Sequence, residues 1–239
     1  MDLAYSLNTF YFLVSGLLVM WMAAGFTMLE SGSVRSKNVT EILIKNVALY
    51  SVASIGFLLL GYQLMYGWNP PEDHALWSDF FFQVVFVATA MSVVSGAVAE
   101  RKKLWTFLLF ATLFTAVVYP IQGSWSWGGG WLSELGFYDF AGSGIVHLAG
   151  ATAALAAVIL IGPRIGKYTK EGKPKPIHGS NAAQVTLGTL ILWLGWFGFN
   201  GGSQLSIVGI ENADAVAKIF VNTNTAAATG LISAMVLSK

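Results

Sequence analysis

Seven stretches of this chain are apolar enough and long enough to cross a lipid bilayer, and no other feature limits its fold so strongly. A spanning helix needs roughly 20 mostly apolar residues. Such runs occupy about 6–29, 43–67, 80–99, 104–122, 141–162, 182–200 and 219–237. Hydrocarbon offers no water to backbone amides, so only helices and closed barrels satisfy them there, and runs of this length select helices. Composition agrees. Of 239 residues, 55% are hydrophobic and 10% charged, where a soluble domain carries about 25% charged residues. The expected architecture is an all-α, polytopic membrane protein.

The connections alternate in charge. Arg35, Lys37 and Lys45 lie between spans one and two, Arg101, Lys102 and Lys103 between three and four, and Arg164, Lys167, Lys170, Lys173 and Lys175 between five and six. The intervening connections carry Glu72, Asp73 and Asp79, then Glu134 and Asp139, and then Glu211 and Asp214 against Lys218. Basic connections stay cytoplasmic, which places the N-terminus outside. The chain has no cysteine, so no disulfide and no thiolate metal site is expected, and no cofactor motif is present. The net charge of +1 gives no footprint for nucleic acid. Met1 to Asn8 lacks a basic leader region, so no cleaved signal is expected.

His147 is the candidate of first interest. An ionisable group inside a span is costly and usually faces a bundle interior or a pathway; the alternative is a packed histidine bonded to another helix. Six residues into its helix, it would lie roughly 9 Å deep, with Gly144, Ala151 and Ala154 on its face by helical spacing. Asp139 opens the same segment, where a carboxylate suits the free N–H groups and the macrodipole. At roughly 12 Å along the helix the two residues cannot form a catalytic dyad, and no enzyme is expected. Phe82 and Phe86 share one face of span three, and Ser203 follows GWFGFNGG. Most of the nine Trp fit an interfacial belt, but Trp127 precedes Gly128–Gly130, a turn that can hold its ring toward a cation. Glu30 and Glu41 are expected in local ion pairs near Arg35, Lys37 and Lys45, and His74 and His178 in solvent. The small-residue stripes Ala149, Ala153, Ala157 and Ala226, Gly230, Ala234 are expected to bring helices close.

FTMLESGSVRSKN (Phe26 to Asn38), SGAVAERKK (Ser95 to Lys103), WGGGWL (Trp127 to Leu132), DFAGSGIVH (Asp139 to His147), GWFGFNGGS (Gly195 to Ser203) and FVNTNTAAATG (Phe220 to Gly230) resemble the ammonium transporter family (Amt, methylammonium permease, Rh). The resemblance implies an outer ammonium site at Trp127, Phe86 and Ser203, and a pair of stacked phenylalanines, Phe82 and Phe86, gating a pore. His147 matches the first of two pore histidines, and Asp139 matches a mainly structural acid at the mouth. It further implies two inverted five-helix halves, the first at about 1–165 and the start of the second at about 180–239, so the chain is expected to be a fragment lacking the second histidine, the alternative being a degenerate family member. The implied function is passage of ammonium, deprotonated to ammonia, across the plasma membrane by a multi-pass homotrimer; the alternative is the sensor part of a membrane signalling protein. Partners implied are ammonium and ammonia, the bilayer, and a cytoplasmic regulatory protein or fused signalling domain.

Overall fold

The computed structural model describes residues 2–238. Seven of its helices are long and apolar enough to cross a membrane: α1 (Asp2–Ser33), α2 (Ser36–Met65), α3 (Leu76–Ala97), α4 (Leu104–Ser124), α6 (Ser143–Ile161), α7 (Ala182–Gly202) and α8 (Ile210–Leu237). A single turn, α5 (Trp131–Glu134), precedes α6. No strand occurs among the described residues.

Two boundaries depart from the sequence expectation for one reason. α2 begins at Ser36 instead of near 43, and Lys45, counted with the charges of the first connection, is fully buried within it. Likewise α8 begins at Ile210 instead of near 219. Averaged hydropathy ends a span at the first charges, whereas a helix accommodates them on one face. Glu211, Asp214 and Lys218 are all exposed while Val216 is buried, the spacing that puts charges on one stripe.

The most extensive interface joins α1 to α7, and glycine makes it. A Cβ on Gly25 would lie 3.1 Å from the carbonyl of Gly188, and one on Gly198 would lie 2.5 Å from that of Ser15. The backbones themselves touch, as small residues permit where lipid removes the hydrophobic drive for helix association. The expected stripes behave differently. Ala149, Ala153 and Ala157 pack on the core and also line a wide apolar groove. Gly230 has open space around it, and Ala226 and Ala234 are exposed.

Hydrogen bonds gather alternate connections at opposite ends. At one end the Glu100 carboxylate accepts from the Arg35 amide (2.9 Å) and guanidinium (3.0 Å), from Asn38 (2.6 Å) and from Arg164 (3.2 Å). Glu100 holds a left-handed φ of 65° to do so. At the other end Asn8 donates to the Asp73 carbonyl (3.4 Å), and its side-chain oxygen accepts from Ser206 Oγ (3.0 Å). The basic connections therefore share one end and the acidic ones the other, as the charge alternation requires.

Candidate functional site

At the acidic end α6 starts on an unusual cap. One oxygen of Asp139 accepts the amides of Gly142 (2.8 Å) and Ser143 (3.0 Å), the other those of Gly144 (2.9 Å) and Ile145 (2.8 Å). Four donors that a helix start leaves unpaired are thus satisfied by one buried carboxylate. The chain enters through Gly142 at φ 104°, where a Cβ would sit 2.5 Å from Val146. The first turn is a π-helix, Ser143–Leu148, and Gln122 of α4 donates to its Ile145 carbonyl (2.8 Å). Trp127 Nε1 donates to the Asp139 carbonyl (2.7 Å). The acid that caps α6 therefore also fixes the indole.

That indole faces a cavity of about 390 Å³ whose walls include Phe86, Ser203, Phe82 and Asp139. Trp127, Phe86 and Ser203, far apart in sequence, are brought to one space. Ser203 Oγ donates to the Phe199 carbonyl (2.8 Å). With its hydrogen so committed, the hydroxyl can only accept from anything in the cavity.

Phe82 and Phe86 meet at 4.7 Å between ring centres with planes at 69°. They are edge to face, not stacked as expected, because residues one turn apart on a helix present their rings side by side and the ring quadrupole favours that approach. The ring lying closest to Phe86 is one the sequence reading did not single out. Phe199 of α7 is 4.3 Å from Phe86 and 5.4 Å from His147 and is 1% exposed. Its ring thus neighbours both Phe86, a wall of the cavity, and the imidazole. The signal was present in GWFGFNGGS, but within one apolar run nothing distinguishes Phe199 from Phe197, which turns toward Phe220.

Beyond Phe199, His147 borders a second cavity of about 320 Å³ with Trp196, Asn200, Ser143 and Ala141. Its ring lies nearly parallel to Trp196 at 6.3 Å. The helix begins at Ser143, so His147 is nearer the helix end than expected. Gly144 and His147 part company: Gly144 lines the apolar groove on the other side of α6. The wider π turn rotates side chains away from the three- and four-residue spacing of an α-helix.

Two other expectations change. His74 is buried, 9% exposed, stacked on Phe12 at 4.1 Å. His178 is exposed as expected. Glu30 pairs with Lys45 at 2.5 Å, but the pair is buried and joined by Ser95 of α3 (2.8 Å). It ties three helices together and is not a local surface bridge.

Comparison with known proteins adds one decisive fact. Residues 10–239 match the Ammonium Transporter Family. This chain belongs to that family. It is 44% identical to ammonium transporter Amt2 of Archaeoglobus fulgidus over 250 residues, covering 95% of this chain and 53% of that protein. It is 41% identical to a putative ammonium transporter of Synechocystis, covering 98% and 57%. Among solved structures, a sensor Amt protein superposes with a TM-score of 0.93 at 36% identity, covering 99% of this chain and 63% of that one. Candida albicans Mep2 gives 0.84 at 29%, covering 98% and 55%. The chain spans about half the length of the curated relatives it matches. It is a multi-pass membrane protein of the ammonium transporter fold.

Proposed function

We propose that this chain forms the outer mouth and the first half of a path by which ammonium crosses the membrane as ammonia. The observation that carries the reading is one cavity walled by Trp127, Phe86 and Ser203, with the Phe199 ring in contact with Phe86 on one side and near His147 on the other. A bare ammonium ion cannot enter hydrocarbon, since the idealised transfer to low dielectric costs about 20 kcal/mol. Aromatic faces return about 0.5–2 kcal/mol each by cation–π attraction, and Ser203 accepts one N–H. These terms hold the ion at the mouth without offsetting its full desolvation. Burial favours the neutral form of an amine, so the proton is given up to water in the cavity before the Phe86–Phe199 contact. Ammonia passes to His147, whose imidazole hydrogen-bonds it and relays a proton inward, so one charge crosses with each ammonia and the flux registers as current. Potassium has no proton to lose and is refused. Assembly as a homotrimer, and a second imidazole opposite His147, belong to the same proposal.

The test is Trp127→Leu in the full-length protein reconstituted in liposomes. Losing one cation–π face raises the half-saturation concentration for ammonium about 2- to 30-fold and leaves maximal flux less affected. An unchanged half-saturation concentration would reduce Trp127 to a belt residue. A second reading, ligand sensing without net flux, is favoured by the likeness to the sensor Amt protein. Ammonium binding in liposomes that pass no ammonium current would select it.

A further inference from the structure

The outer cavity has a second polar wall that the reading above does not use. Asp73, His74 and Asp79 line the same space as Trp127, Phe86 and Ser203. The His74 ring stacks on Phe12, which meets Phe82 edge-on at 5.2 Å. Its Nδ1 lies 2.7 Å from Asp73 Oδ1. Its Nε2 is buried, has no hydrogen-bond partner among the described residues, and stands 3.9 Å from Asp79 Oδ1. The Asp79 carboxylate is held on both sides, by the Tyr62 hydroxyl and by Gln83 (3.2 Å), and Gln83 is fixed in turn by the Tyr66 hydroxyl (2.9 Å).

A buried imidazole nitrogen without a partner, beside an oriented carboxylate and aromatic rings, is incomplete as protein structure. Two things complete it. One is a proton on Nε2, directed at Asp79. The other is a small cation that gives one N–H to neutral Nε2 and another to Asp79 Oδ1. Both together would set two positive charges side by side, so each excludes the other. The remaining titratable groups around the cavity are Tyr66, Tyr138 and Asp139. The Asp139 carboxylate is engaged by backbone amides, and α1 contributes Phe12 and no titratable group.

We infer that His74 and Asp79 form an outer subsite where a cation of the ammonium class displaces the imidazole proton to the external solution before moving on to Trp127. The inference rests on the ammonium reading above and names a further place where the ion is held. Burial pushes the His74 pKa down, but the nearby charge of Asp79 and the hydrogen bond and charge of Asp73 outweigh it and raise the pKa from its ordinary value. Proton and ammonium therefore compete for the same nitrogen.

The experiment is an NMR pH titration of ring-labelled histidine in the detergent-solubilised chain, in ammonium chloride against potassium chloride at equal ionic strength. There are three histidines; His74→Gln assigns the resonance, and exposed His178 is the internal control. Ammonium is expected to lower the His74 midpoint relative to potassium and leave His178 unmoved. Asp79→Asn is expected to lower the midpoint in potassium and abolish the ammonium effect. Equal His74 midpoints in the two salts overturn the subsite, and an ammonium effect that survives Asp79→Asn overturns the part given to Asp79. The readout needs no flux. A responsive His74 in a protein that carries no ammonium current keeps the subsite and removes the transport reading, while transport with an unresponsive His74 does the reverse.

Discussion

Lys45→Met should destabilise this chain far more than its change of size suggests. Lys45 Nζ lies 2.5 Å from Glu30 Oε2, with the lysine side chain 0% and the glutamate 6% exposed. Removing the ammonium leaves a carboxylate between α1, α2 and α3 with only Ser95 (2.8 Å) and Asn46 (3.4 Å) as donors. Breaking one side of a buried pair costs about 3–5 kcal/mol, whereas replacing both partners by neutral groups of similar volume is often nearly neutral. In a protein of this size each kcal/mol moves the melting temperature by about 2–4 °C, so Lys45→Met is expected to lower it by roughly 6–20 °C. The double variant Glu30→Gln, Lys45→Met keeps the Ser95 hydrogen bond and should recover most of the loss. The assay is tryptophan fluorescence during thermal unfolding in detergent, for both single variants and the double. A double variant no more stable than Lys45→Met, or a Lys45→Met variant that melts with the parent, would refute the reasoning.

Two further predictions concern acid and base. Burial pushes the Glu100 carboxyl up, but hydrogen bonds from the Arg35 side chain and amide, Asn38 and Arg164 outweigh it and hold the pKa at about 2. The folded value lies below the unfolded one, so this stabilisation is complete above pH 4.5 and is lost as pH falls toward 2; Glu100→Gln should flatten that part of a melting-temperature profile. Burial, and then the charge of Lys45, bring Lys102 down to about 7 against the opposing pull of Glu41 and Glu30. Between pH 7 and 10.5 the unfolded chain binds the proton that the folded chain does not, so stability rises with pH across that window. Lys102→Met should remove the slope and melt higher than the parent at pH 7; a lower melting temperature there would contradict it.

Much of the fold could be read in the sequence because lipid leaves few alternatives. Length and hydropathy marked seven spans, and the charge alternation from Arg35 to Lys175 sorted their connections into two sets that meet at opposite ends. What could not be read depends on contacts across helices. Glu30 and Lys45 look like flanking charges until α3 supplies Ser95. His74 looks like a loop histidine until Phe12, far earlier in the chain, stacks on it. The π turn at Ser143–Leu148 has no signature in hydrophobic spacing, so Gly144 was placed on the wrong side of α6. At the cavity, Trp127 and Ser203 were legible because each stands at the edge of a motif, whereas Phe86 was marked only by sharing a helix face with Phe82 and by the family resemblance. Phe199 was not, because its importance comes from lying between Phe86 and His147.

The central claim is that a nitrogenous cation gives up its charge on the way to His147. Currents carried by the full-length protein in liposomes, in ammonium and in potassium, before and after His147→Ala, test it most directly. The account predicts no potassium current in the parent, and a variant that stays folded while its ammonium current is lost or no longer distinguishes the two ions. Unchanged current with unchanged selectivity in the variant would contradict it.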